Sequence, residues 1–354
     1  MGAKPESGLE KYRLDPSKTV NQRVIENAAV AYTIDKNSFP ALEGVTCYTL
    51  EVWEECMRLP HWHPNASELG FVVSGSIEVM LWRSPGESAV FTLSAGMCWF
   101  IPQGALHSLN NIGKSHAKLL VGFSNSIPQD VDLPVAFNGI PVEIRDAYVG
   151  SHNELRKWVG PNSNALVGPY HLQKNVREVR TASPYGFDFA KVTPLFNDAT
   201  LGSVVWGVKS NWSILENISL LRACLKPGAA RDAIWYPDVG TLYVVARGKG
   251  QFHIVIADEK TEPLDVVQGD YIFIPVGVLH TFINTASEEF EVLAFFTKAN
   301  PLPEVSLSVA TGFFPKTILK SAMMEYGTEH KSGDPLKGLQ HTDVTPYLLK
   351  VSRK

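Results

Sequence analysis

Six residues that shape backbone or carry chemistry occur twice in this chain at one fixed displacement. Gly75, Gly96, Pro102, Gly104, His107 and Asn111 recur as Gly248, Gly269, Pro275, Gly277, His280 and Asn284, each 173 residues later and without a gap. Self-similarity of that kind means one structural unit used twice. The match runs on: Pro128 pairs with Pro301, and after a slip of one residue Val135, Pro141 and Ile144 pair with Val309, Pro315 and Ile318. A chain of 354 residues divided this way gives two units, each large enough to bury its own core. The expected layout is a polar N-terminal arm over 1–30, crossing the surface or a partner subunit, a first domain over 31–180 and a second over 181–354. The boundary is placed near Thr181, inside a link from Asn162 to Lys191.

The pattern within each unit is that of an all-β sandwich or barrel. Segments 46–53, 70–73, 77–82, 89–93, 97–101 and 117–123 are short, apolar and rich in β-branched or aromatic residues, with Gly, Pro, Ser and Asn between them. Segments 141–148 and 315–324 instead begin with Pro and space their apolar positions, which predicts a short helix at the end of each unit.

The chemistry concentrates in the first unit, at His61-Trp62-His63-Pro64-Asn65-Ala66-Ser67-Glu68 together with His107. Alternate positions of a strand face the same way, so His61 and His63 can reach one ion. Glu68, after a Pro-Asn turn, comes back as a third ligand, and His107 follows an apolar run broken by Pro102 and Gly104. Three imidazoles and a carboxylate suit a divalent metal, and four ligands leave two octahedral positions open for substrate or dioxygen. With no thiolate in the set, Mn(II) or Fe(II) is expected, and the order of affinities allows Zn, Ni, Co or Cu in their place. In the second unit the same positions are Ile234, Tyr236 and Thr241, and only His280 remains, so no metal is expected there.

Other function classes are excluded by composition. Net charge is −4 with Lys and Arg scattered, which gives no footprint for nucleic acid or an anionic membrane. Cys47, Cys56, Cys98 and Cys224 form no C-x-x-C pair and read as buried free thiols. No apolar run reaches the length of a membrane span. The N-terminus lacks a secretory apolar segment, so the chain as it stands reads as cytoplasmic, with secretion open where a signal has been removed. A small molecule is the expected partner.

The runs His61-x-His63-x4-Glu68-x6-Gly75 and Gly96-x5-Pro102-x-Gly104-x2-His107-x3-Asn111 resemble the paired motifs of the cupin superfamily, and the duplication resembles a bicupin. One motif position departs from the pattern: Glu55 stands where the family has an early Gly. The resemblance covers about residues 30–325 and implies two tandem double-stranded β-helix (jelly-roll) barrels, each followed by a short helical segment. It also implies Mn, then Fe, as the usual metal, no organic cofactor and assembly into a homo-oligomer.

Within bicupins, Leu59-Pro60-His61-Trp62-His63-Pro64-Asn65-Ala66 is most similar to the oxalate decarboxylase and germin group. That likeness implies a small carboxylic acid as substrate, with Arg58 binding its carboxylate bidentately. Strict alternation puts Arg58 on the face opposite His61, and an irregularity at Pro60 is what would return it to the site. The group's lid, Ser-Glu-Asn-Ser-Thr, is here Pro128-Gln129-Asp130-Val131-Asp132, so Asp130 falls nearest the proton-supplying Glu and would need a raised pKa in a dry site. Two other readings stand beside a decarboxylase-like enzyme: an Fe-dependent dioxygenase similar to quercetinases, and a non-catalytic metal- or ligand-binding bicupin. In the second barrel Arg231, Tyr236 and His280 outline a pocket for an organic anion, or else a copy kept for structure and assembly.

Overall fold

The computed structural model describes residues 8–15, 22–25, 27–149, 166–170, 183–257, 263–323 and 347–351. The expected boundary at Thr181 lies outside them. In the first unit one sheet carries the strands Cys56–Trp62, Leu106–Asn111, Ser76–Ser84 and Glu87–Ser94, with Val131–Asp132 and Val167–Pro169 both paired to Cys56–Trp62. The facing sheet carries Met97–Ile101, Glu68–Ser74, Ala117–Phe123, Thr46–Val52, Ala29–Tyr32 and Gln22–Ile25. The second unit repeats this plan. Thr46–Val52, Glu68–Ser74, Leu106–Asn111 and Ala117–Phe123 correspond to Ser219–Leu225, Thr241–Arg247, Leu279–Asn284 and Phe290–Phe296, all at the displacement seen in the sequence.

Each barrel ends in a pair of short helices where the sequence suggests one. Val142–Val149 and Lys316–Met323 start just after Pro141 and Pro315, as expected; Leu133–Gly139 and Leu307–Phe313 precede them. The earlier helices are only seven residues long, too short for periodicity to register. The second of them is nonetheless capped, Ser306 accepting from the Val309 N–H.

The repeated small residues have backbone reasons. Gly104 has φ +76° at the turn before His107, a conformation that favours glycine, and no neighbour crowds it. At Glu55 the family's glycine is missing, yet the backbone is still left-handed, with φ +57°. Its counterpart in the second barrel is Gly228, with φ +75°. The turn is therefore kept at a cost of about 1–2 kcal/mol for a residue with a Cβ.

Each barrel has an apolar interior of its own, and a third cluster joins them. Leu69, Phe71, Phe100 and Leu120 from the first pack with Leu242, Val244, Phe273 and Phe295 from the second. At roughly 2 kcal/mol per fully buried large side chain this seam is a core, not a loose contact. Short strands cross it in both directions. Gly186–Asp188 adds to Met97–Ile101 of the first barrel, while Arg13–Leu14 adds to Tyr271–Ile274 of the second. Arg13 anchors that end, donating from Nη2 to Asp270 at 2.9 Å. Among the described residues, no helix is long and apolar enough to cross a membrane.

Candidate metal centre

The register of two strands builds the site. His61 lies opposite His107 where Cys56–Trp62 pairs with Leu106–Asn111, Glu68 opens Glu68–Ser74, and His63 follows directly on the end of its strand. The four side chains are buried, and one donor atom from each lies within 4.8 Å of the others. Both His63 Nε2, at 2.9 Å, and His107 Nε2, at 3.2 Å, face Glu68 Oε2. The His61 and His107 rings are 4.1 Å apart between centroids.

Each ring is turned the way a metal ligand requires. Nδ1 of His61 donates to Leu59 O at 2.7 Å, Nδ1 of His107 to Ala105 O at 2.9 Å, and Nδ1 of His63 to Gln129 O at 3.0 Å. A carbonyl only accepts, so each ring carries a proton on Nδ1 and turns Nε2, the nitrogen that can serve as the ligand atom, into the cluster. Burial pushes His61 well below the usual histidine value, and Arg58 pushes it the same way. Burial also lowers His63, but Asp130 and Glu68 outweigh it and raise the ring to about 9. Against the upward push of burial, His107 and His63 hold the Glu68 carboxyl well below the usual carboxylate range. Converging lone pairs around a buried carboxylate are what a divalent cation neutralises, displacing any proton held there. The donor set fits such an ion.

Two residues that complete the site escaped the sequence reading. Trp99 is fully buried and donates from Nε1 to Glu68 Oε1 at 2.6 Å, which fixes the carboxylate and leaves Oε2 for the cluster. Its indole fits because residue 70 is glycine: a Cβ there would lie 1.9 Å from Trp99 Cζ2. In the second barrel the corresponding residues are Ile272 and Tyr243, so the large aromatic stands on the other strand of the pair. The difference between copies at these positions was the available signal.

Arg58 lies on the site side. A step of two residues, His107 to Leu109, faces a step of three, His61 to Arg58, and this bulge undoes the alternation that would have turned Arg58 away. The guanidinium is buried; Nη1 bonds Asp132 and, at 3.2 Å, Leu166 O. Nη2 lies 3.6 Å from Asp130 Oδ2 and has no hydrogen-bond partner among the described residues. It lines a cavity of about 50 Å³ with His61, His63, Glu68, Thr49, Leu109, Val121 and Phe123. One edge of the fork is therefore taken by the protein, and one N–H group remains for a ligand in place of the bidentate grip expected.

Asp130 is also at the cavity, but its electrostatics run opposite to the expectation. Burial raises its pKa, while the hydrogen bond with His63 and the charges of His63 and Arg58 outweigh burial and leave it below the ordinary value. Asp132 reaches the site through Arg58.

The second barrel replaces the cluster with an internal network. Arg231 is paired to both oxygens of Glu304, Tyr236 donates to Glu304 at 2.9 Å, and Tyr243 donates to His280 Nε2 at 2.6 Å. Burial lowers His280 to about 4. The anion that Arg231 meets is Glu304 of the same chain. Among the described residues, His61, His63, Glu68 and His107 form the one group placed to hold a metal.

The sequence pattern of a family described as Cupin matches residues 14–155 and again 203–324. Oxalate decarboxylase OxdC of Bacillus subtilis (strain 168) is 21% identical over 303 residues, spanning 84% of this chain and 78% of that one. Germin-like protein subfamily 3 member 1 of Arabidopsis thaliana is 36% identical over 133 residues, 36% of this chain and 62% of that one. Among solved structures, B. subtilis oxalate decarboxylase at pH 4.6 superposes with a TM-score of 0.83 at 18% identity, covering 96% of this chain and 88% of that chain. Another structure of that enzyme comes from work on its Mn(II) centres. Likeness at this identity establishes the shared fold.

Proposed function

Because the chain belongs to the cupin family, with the family's domain present twice, we propose that it is a metal-dependent, oxalate-decarboxylase-like enzyme acting on a small carboxylic acid in its first barrel. The observation that carries this reading is the convergence of His61, His63, Glu68 and His107 beside Arg58, whose Nη2 makes no hydrogen bond among the described residues. The four converging side chains would hold Mn(II), with Fe(II) as the alternative, and such an ion supplies Lewis acidity and one-electron chemistry at a bound carboxylate.

The chain's own residues do the rest. Arg58 Nη2 binds one carboxylate oxygen, and Asp132 and Leu166 O hold the guanidinium so that it does not reorganise when the acid arrives. Leu109, Val121 and Phe123 keep water from the reacting carbon. A cavity of about 50 Å³, far below the roughly 300 Å³ and more of pockets that take drug-sized ligands, favours a small acid over a fused-ring aromatic.

The test is turnover of a panel of small acids, oxalate first, by Mn- and Fe-loaded protein under air and under nitrogen, with carbon dioxide release measured. Turnover that a chelator abolishes and Mn restores is expected. A stoichiometric metal with no turnover on the panel would instead favour the non-catalytic binding role.

A further inference from the structure

Three histidines carry the cluster, and one of them is oriented differently from the others. His61 and His107 each donate from Nδ1 to the carbonyl two residues earlier in their own segments, Leu59 O and Ala105 O, and in the second barrel His280 does the same with Val278 O at 2.9 Å. His63 has no such local partner. Its Nδ1 meets Gln129 O at 3.0 Å and Asp130 Oδ1 at 2.7 Å, more than sixty residues away.

The segment carrying those acceptors is fastened at both ends to the metal-site strand and the turn after it. The Asn65 amide donates to Ile127 O at 3.0 Å and accepts from the Gln129 N–H at 2.8 Å. Val131 and Asp132 pair with Trp62 and His61, and Asp132 bonds Arg58. The second barrel keeps the link without the metal ligands. Tyr236, at the position of His63, donates to Glu304, which is the counterpart of Asp130 once the one-residue slip is counted. A contact retained where no ligand set exists belongs to how this segment is held.

We propose that Asp130 is a positioning residue, coupling the 127–132 segment to the metal centre by orienting His63 through its Nδ1–H. A carboxylate on the far nitrogen makes the imidazole a stronger ligand and fixes its plane, so displacing the segment weakens the metal's hold on His63. The seating of Arg58, which Asp132 of this segment bonds, and the strength of one metal ligand are thereby linked. This rests on the metal reading given above.

Asp130→Ala, Asp130→Asn and Asp132→Asn report on it through Mn(II) affinity, by competition with a chelator, and through the electron paramagnetic resonance signature of the bound ion. Asp130→Ala is expected to weaken Mn(II) binding about 10–100-fold and to alter the signature. Asp130→Asn, which keeps an acceptor and loses the charge, falls between it and the wild type, and Asp132→Asn, which loosens one fastening of the segment and leaves the His63 contact in place, weakens binding less than Asp130→Ala. Wild-type affinity and signature in both Asp130 variants, with turnover alone reduced, would place Asp130 on the substrate and overturn the proposal. Wild-type protein that binds no metal would instead remove the metal reading itself.

Discussion

His61→Ile is expected to abolish metal binding while leaving the fold intact. The second barrel is the precedent: Ile234 occupies this position, fully buried, opposite His280, and the surrounding strands keep their register. Replacing imidazole by a side chain of similar volume removes one ligand and leaves Leu59 O without its donor, a cost of about 1–3 kcal/mol. Overpacking adds little, because volume-conserving core changes cost below about 1.5 kcal/mol. Metal content should fall from about one ion per chain to less than about a tenth, with all metal-dependent turnover lost and circular dichroism unchanged. Metal retained at the wild-type level in a folded variant would contradict the ligand assignment.

Arg58→Lys carries the second largest effect. The guanidinium serves two directions at once, Asp132 and Leu166 O on one edge and the cavity on the other. An ammonium reproduces the charge but not the planar fork, so it either keeps Asp132 or meets the ligand. Loss of a charge-assisted hydrogen bond worth about 1.5–3 kcal/mol corresponds to roughly a tenfold to hundredfold fall in kcat/KM, expressed chiefly in KM for the acid. Metal content should hold, since no metal-facing atom changes. An unaltered KM would show that Arg58 serves to hold the lid segment and not the substrate.

Much of this molecule is legible in its sequence because a duplication supplies a control. Positions kept in both copies, such as Gly104 and Gly277, answer to backbone geometry; positions kept once, His61, His63 and Glu68, answer to the site. The all-β reading and the paired barrels follow from that pattern, and both are borne out. Less was visible where geometry departs from regular periodicity. The side on which Arg58 lies depends on a bulge, which alternation alone does not reveal. The role of Trp99 depends on a cross-strand neighbour, Gly70, that makes room for its ring. A role for Asp130 as acid or base required a raised pKa, but His63 and Arg58 converge on it from distant parts of the chain and leave it lowered. The exchange of Arg13–Leu14 and Gly186–Asp188 across the seam uses strands of two and three residues, too short to carry a pattern.

The first barrel is expected to hold a single catalytic-type metal ion and the second none. Metal-to-protein stoichiometry of the purified wild-type chain, measured by elemental analysis after Mn loading and gel filtration, tests it most directly. About one Mn per chain is expected, from one complete set of four ligands. Two ions per chain, or none after loading, would contradict it.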